Sequence, residues 1–365
     1  MNPRRIGVWV LAGLLAVAFF VDQLPVDWGY EQLVTVRGEP AGRLWPAAPG
    51  DVEGLPSASV EGTLSAELPR GGRLAVRNTF GNVRLRGEPA AGGPGADAAA
   101  TGTVSVQYRV TVYATTQEAA EAYLSQVRVE LRPDGGRQGD LVLSTVRPTA
   151  PAEVRRVEVD VDGALPPWAR LEVHNAFGVV DARGLDGPSR VDNRFGRTAV
   201  TQVRGDWEVQ TAYGNVDVSG VAGSLQVRGD FVNSDIRDVE GDVTLRGRYS
   251  DHDVRGVGGD VEVEAGFGDV RVEGFRRNVR VDLQYSDVTL RSAPPLDHRF
   301  DVEARFGDIV VRIPGLDTPA RPTSEGTTQR WTGVSGPGRY QVEVRTNFGD
   351  VELGVAEGEA GGAVL

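Results

Sequence analysis

The chain contains no cysteine and no lysine, one methionine and only three histidines. Without cysteine there is no disulfide framework and no thiolate metal site. The histidines, His174, His252 and His298, are spread along the chain and offer no zinc spacing. There is also no Gly-x-Ser-x-Gly elbow and no phosphate loop. All 39 basic residues are arginine, a usage that reads as GC-rich codon choice without functional weight. They are outnumbered by 51 acidic residues, and the formal charge of −12 with no basic patch argues against nucleic-acid binding. Past the N-terminus no long apolar run occurs, so the class is β-rich, Gly-rich and soluble with one hydrophobic exception.

What is present is a beat. From Leu171 to Leu290, pairs of inward residues two apart recur every nine residues, fourteen times, from Leu171/Val173 to Val288/Leu290. Residues two apart share a strand face, and a strand this short needs neighbours to be buried. A fixed period is the signature of stacked repeats. An 18-residue aromatic ladder overlies the beat: Phe177, Phe195, Tyr213, Phe231, Tyr249, Phe267 and Tyr285. The expected fold is all-β: a parallel β-solenoid with 18-residue, two-strand coils, a small α+β capping insertion and an N-terminal hydrophobic helix. Aromatic–Gly–polar turns, such as Phe267-Gly268-Asp269, suit the bends. The aromatics are expected to stack between coils and plug one corner of the core. Opposite charges one coil apart (Glu262/Arg280, Arg246/Glu264, Asp253/Arg271, Arg255/Glu273) read as a solvated, register-setting face.

In chain order, residues 1–21 hold two arginines and an uncharged run from Ile6 to Val21, a signal anchor or signal peptide. The Ala16-Val17-Ala18 stretch offers a cleavage site, so the protein is either anchored in the cell membrane with the solenoid outside the cytoplasm, or secreted. Residues 22–58 read as a Pro-containing tether with one strand near Leu33–Arg37, and 59–91 as a first coil (Leu74/Val76, Val83/Leu85). Residues 92–165 form the α+β insertion: strands at Val104–Tyr113, Val127–Arg132, Leu141–Val146 and Val154–Val161, and a helix from Gln117 to Val127 capped by Thr115 or Thr116. Its expected job is to cap the open end of the coils. Residues 166–355 continue the solenoid, with coils at 300–311 and 342–353 separated by a loop, Pro314–Gly338, that carries Trp331 and serves as a second cap. Residues 356–365 are a flexible tail.

The repeated Phe-Gly-Asp-Val-x-Val-x-Gly, preceded by Leu165-Pro166-Pro167-Trp168-Ala169-Arg170-Leu171-Glu172-Val173 and an N-terminal signal, resembles the bacterial "putative adhesin" β-strand-repeat family, exported domains of unknown function. The resemblance covers roughly residues 60–355. It implies a non-catalytic protein of the cell envelope and supplies no site residues.

Three features invite chemistry. The row Asp251, Asp269, Asp287, with Asp308 and Asp350, suggests a calcium roll, but the paired glycines of such rolls are missing. The row also contains Val179, Arg197, Asn215 and Asn233, so backbone-capping turn residues are the better reading. His252 lies between Asp251 and Asp253, yet strand neighbours face opposite ways, so a tolerated polar residue is expected. Arg204-Gly205-Asp206 and Arg228-Gly229-Asp230 spell an integrin-type tripeptide that turns rich in these residues produce by chance. No catalytic, cofactor or metal residue is assigned. The expected function is an exported, membrane-anchored interaction module whose partner is another envelope protein, a surface polymer or a second copy. An envelope-stress sensor with a ligand in residues 103–162 is the alternative, and a carbohydrate-active β-helix enzyme the third.

Overall fold

The computed structural model describes residues 52–88, 101–135, 139–314, 316 and 321–356. The signal segment, the tether up to Asp51, most of the Glu88–Ala100 loop and the tail lie outside the described residues. The chain divides into Met1–Asp51 and Val52–Leu365, and only the second unit is described below. It is nearly all β, with one short helix among the described residues and a large, mostly parallel sheet.

The pairing follows the beat. Val209 stands beside Val227, Val227 beside Leu245, Leu245 beside Val263 and Val263 beside Val281, each step one full period further along the chain. These strands form a first row. A second row runs alongside, where Val218 meets Ile236, Ile236 meets Val254, Val254 meets Val272 and Val272 meets Leu290. The long strand Ser189–Arg204 belongs to both, which joins the rows into one sheet. The paired valines and leucines of both rows are almost wholly buried. Each contributes about 1.5–3 kcal/mol against exposure, so the apolar pairs supply most of the driving force.

Both interrupted coils rejoin the rows. Leu74 and Val76 stand beside Leu171 and Val173, and Val83 and Leu85 beside Val180 and Ala182, although the insertion separates them in sequence. The C-terminal order corrects the expectation of coils in sequence. Val342 lies between Val279 and Phe300, Val344 between Val281 and Val302, and Leu353 between Leu290 and Val311. The last strand pair in the chain, Tyr340–Phe348 and Val351–Val355, is therefore interposed between earlier strands in space. The three-residue slip after Leu290 carries His298–Arg305 past one row position, and the returning chain fills it. Asp297 receives that return, its Oδ1 accepting the Arg339 N–H at 2.9 Å.

The stretch around Trp331 is no loop. Thr328–Ser335 is a strand lying antiparallel on His298–Arg305, with Trp331 3% exposed against Phe300. The insertion extends both rows. Leu141–Val146 pairs with Arg73–Phe80, and Val154–Leu165 with Val83–Gly87, both in parallel. Arg128–Pro133 closes a hairpin on the first, and Thr101–Ala114 adds antiparallel to the second. The helix runs from Gln117 to Leu124, ending three residues before its expected end. Thr116 caps it by accepting the Ala119 N–H, and Ala120 and Tyr123 are its buried residues. A further strand, Ser57–Pro69, replaces the expected tether end and coil start. It pairs antiparallel with Thr101–Ala114 over its full length.

The turns between rows vary in backbone form. In most, the glycine after the aromatic takes positive φ, as at Gly178, Gly196, Gly214, Gly268 and Gly349. Where Val232 and Ser250 replace it, the aromatic itself becomes left-handed, with φ of 59° at Phe231 and 57° at Tyr249. Phe306 also takes φ of 56° although Gly307 follows it, and neither Tyr285 nor Ser286 is left-handed, so the absence of glycine does not alone decide the turn's form. At Gly214 a Cβ would sit 1.8 Å from the Gly196 carbonyl oxygen, at φ 145°. Gly214→Ala is expected to cost about 3 kcal/mol or more in urea unfolding. Gly326→Asn, at φ 60° with open space around it, should cost under about 1 kcal/mol. Equal losses would contradict the close-packed turn.

Candidate functional site

The aromatic ladder is longer than its seven expected members. Phe80 stacks on Phe177 at one end, and Phe348 and then Phe306 extend it beyond Tyr285 at the other. Ring centroids lie 4.7–5.2 Å apart and planes within 10°. The rings do not plug the core as expected. Tyr285 is 48% exposed and Phe306 55%, because the turn carries them outside the valine rows. Each internal ring lies face to face with a ring on either side, so solvent meets mainly ring edges. The Arg156 guanidinium lies 5.7 Å from the Phe80 ring centre and 5.6 Å from that of Tyr113. This end of the column is therefore capped by cation–π contact. Flat ligands that need ring faces find none inside the column.

The Asp row is a backbone ladder. The Asp269 N–H donates to Asp251 Oδ1 at 2.9 Å and the Asp287 N–H to Asp269 Oδ1 at 3.4 Å. The Asp350 N–H then donates to Asp287 and the Asp308 N–H to Asp350, both at 2.8 Å. The Gln329 side-chain amide finishes the row on Asp308 at 2.6 Å. Carboxylates held by N–H donors one strand apart tolerate their mutual repulsion without a cation. A second ladder follows the opposite turn: Asp206 accepts from Ser224, Asp242 from Asp260, Asp260 from Asn278 and Asn278 from Gln341. The first of the two Arg-Gly-Asp aspartates is thereby tied to the turn one period on. The other, Asp230, accepts the Arg248 N–H and pairs with its guanidinium. No group of three or more His, Asp or Glu among the described residues is placed to hold a metal ion.

All four charge pairs expected on the outer face stand directly opposite in register. Ion pairs form at Arg246–Glu264, 3.3 Å, and Arg255–Glu273, 3.9 Å, while Arg280 reaches Glu343 of the intercalated coil at 4.0 Å.

His252 points into the core and is 3% exposed. Its Nδ1 lies 2.6 Å from Ser234 Oγ, and its buried Nε2 has no hydrogen-bond partner. The contact has the shape of a nucleophile–base pair, but both groups sit among core valines where no substrate reaches. Burial lowers the His252 pKa to about 4, so the ring is neutral.

The densest charged cluster lies where the insertion meets the coils, a place that pairwise spacing does not reveal. Arg73 binds Asp134 at 2.8 Å, Asp140 at 3.2 Å and also Glu172. His174 continues the line, with Nε2 2.8 Å from Glu172 and Nδ1 3.6 Å from Asp192. The nearby Asp192 carboxylate, and then the hydrogen-bonded Glu172, raise the His174 pKa against the opposing effect of burial. The signal is the outward run Arg73, Glu172, His174 and Asp192 on neighbouring strands, but only the pairing across the insertion brings Asp134 and Asp140 to it.

No protein-family model matches the chain, and no curated protein matches it. Among solved structures, the crystal structure of a "putative cell adhesion protein" from Clostridium sporogenes is similar at 9% identity and a TM-score of 0.21. The match covers 81% of this chain and 99% of that one. So distant a likeness carries no argument about this chain.

The two histidines act on stability with opposite signs. His252, depressed to about 4 from 6.5, supports folding fully above pH ~6.5, and that support is lost as pH falls toward ~4, by roughly 3 kcal/mol. The His174 pairing, with a raised pKa, is fully present below pH ~6.5 and is lost as pH rises through its folded pKa. In urea titrations across pH, Ser234→Val with His252→Val should remove the acid-side loss, and His174→Gln the loss at higher pH. Profiles unchanged by these variants would refute both assignments. For the Asp ladder, melting in EDTA should match melting without it. Asp269→Asn, which keeps the acceptor, should cost less than Asp269→Ala, at about 1 kcal/mol.

Proposed function

We propose that residues 59–355 form a β-solenoid with two-strand, 18-residue coils, carried outside the cytoplasm and tethered to the cell membrane by residues 1–21. It acts there as a non-catalytic structural or adhesion-like interaction module. The observation that carries this reading is how the repeated polar rows are used. Turn carboxylates accept backbone N–H groups of the next coil, aromatic faces cover one another, and outer charges pair across strands. Side chains committed to coil–coil bonding build a long, regular surface and hold coils in register. They do not converge on a reacting atom, which glycoside chemistry on a β-helix would need. The uncharged Ile6–Val21 run after Arg4 and Arg5 supports the membrane tether.

An envelope sensor is the second reading, favoured by one observation. Arg73 joins the insertion to the repeats through Asp134 and Asp140, and His174, with its raised pKa, shares Glu172 with it, so protonation beside this seam bears on how the two hold together.

Fractionation of cells expressing the full chain tests the proposal. The protein should sediment with membranes and be digested by protease added outside the cytoplasmic membrane. Deletion of residues 1–21 should leave it off the membrane. A full chain found in the cytosolic fraction would overturn the reading.

A further inference from the structure

Six of the nine large hydrophobic side chains that stand exposed among the described residues belong to the aromatic column. They are Tyr213, Phe231, Tyr249, Tyr285, Phe348 and Phe306, at 38–55% exposure. Exposed apolar side chains scattered singly need no explanation, but a continuous strip of them marks an interaction surface. The flanks of the strip say what fits it.

The rings are alike along the column, and their neighbours are not. Two residues after the ring stand Val179, Arg197, Asn215 and Asn233 in the first part, and Asp251, Asp269, Asp287, Asp350 and Asp308 in the second. All five aspartates are exposed. Each uses Oδ1 to hold the next backbone N–H or, at Asp308, the Gln329 amide. Their Oδ2 atoms accept no hydrogen bond and pair with no arginine among the described residues. Carboxylates on the outer strand faces behave otherwise, since Glu208, Glu264 and Glu273 are each held by an arginine. On the opposite side of the rings, Gly266, Gln284 and Asn347 carry no charge, and Arg248 is already paired with Asp230. Arg271 and Arg305 are the other basic neighbours, so carboxylates are in excess along this stretch.

We propose that the column from Tyr249 to Phe306, with its aspartate row, is a docking surface for a polypeptide segment that carries both aromatic and basic side chains. The stacking decides what can approach. Ring faces cover one another at 4.7–4.8 Å along this stretch, so a partner meets ring edges. Those edges carry the positive end of the ring quadrupole, and the group that suits them is the negative face of another aromatic ring in T-shaped contact. The Oδ2 row beside the edges calls for cations. An acidic segment is repelled by the carboxylates, and an aliphatic one gains nothing from the quadrupole. The inference rests on the interaction-module reading and states the chemistry of its partner.

The full chain in a non-ionic detergent is titrated into a fluorescein-labelled peptide of alternating arginine and tyrosine, with empty micelles as the blank, and anisotropy is read. Binding should saturate and should weaken as salt is added. Peptides alternating glutamate with tyrosine, or arginine with serine, should bind about fivefold more weakly or worse. Asp269→Asn with Asp287→Asn keeps the backbone acceptors and removes two charges, and should weaken binding of the first peptide about fivefold or more. Glu240→Gln with Glu118→Gln removes the same charge elsewhere and should change it less than about twofold. No binding of the arginine–tyrosine peptide overturns the proposal, as does equal binding of all three peptides. So does a loss no larger at the aspartate pair than at the glutamate pair. Self-association of the full chain that disappears when Asp269 and Asp287 are replaced would give the strip to a second copy and overturn it as well. Membrane fractionation is read separately, so failure of the tether and failure of the docking surface are distinguishable.

Discussion

Parallel backbone pairing between positions one 18-residue period apart is the constraint from which the rest of this structure follows. Neighbouring strands in such a ladder lie about 4.8 Å apart, and everything attached at equivalent positions is repeated at that distance. Aromatic rings that are equivalent by register arrive at 4.7–5.2 Å, the separation at which flat rings stack. Turn aspartates arrive where each carboxylate meets the next backbone N–H. The glycines arrive so near their neighbours that a Cβ at Gly196 would lie 2.0 Å from the Gly178 carbonyl oxygen. The stacking, the ladders and the glycine requirement are three consequences of one spacing.

The same constraint explains the features that look like sites. A row of acids resembles a cation site in sequence, yet its negative charge is held by N–H donors pointing along the stack. A serine beside a histidine resembles a catalytic pair, yet both occupy a row filled mostly by valine, where desolvation keeps the ring neutral. Polar groups in such a core are tolerated at a cost. Where Asn193 enters it, the amide is satisfied by Gly178, Arg197 and Thr198, whereas His252 leaves one ring nitrogen without a partner.

Much of the fold is legible in the sequence because the period is strict. Inward pairs such as Val261/Val263, the turn glycines and the opposed charges Arg246 and Glu264 are local statements that the register repeats unchanged. What is not legible depends on contacts the period does not encode. Nothing local says that Val342–Leu353 slides between Val279–Leu290 and Phe300–Val311, since all three stretches carry the same inward pattern. The strand Ser57–Pro69 alternates Ala58, Val60, Leu64, Ala66 and Leu68 with polar residues, but Gly62 interrupts the pattern and most of the strand remains exposed. An interior position for the aromatic ladder follows from composition, because rings are usually buried. The turn geometry places these outside, where the stack itself supplies their packing. The Arg73 cluster escapes a sequence reading because Asp134 and Asp140 belong to a hairpin whose place beside the coils is set by tertiary pairing.

If the 18-residue period is the indivisible unit of pairing, deletion of one period is the most direct test. Removing residues 217–234 restores every row, with Asp235 and Ile236 following Val216 in the positions of Asp217 and Val218. Removing only residues 226–234 swaps the rows and breaks the aromatic column. The account predicts that the full-coil deletion unfolds cooperatively in urea with a β-type circular dichroism spectrum, and that the half-coil deletion does not fold. Equal behaviour of the two deletions would contradict it.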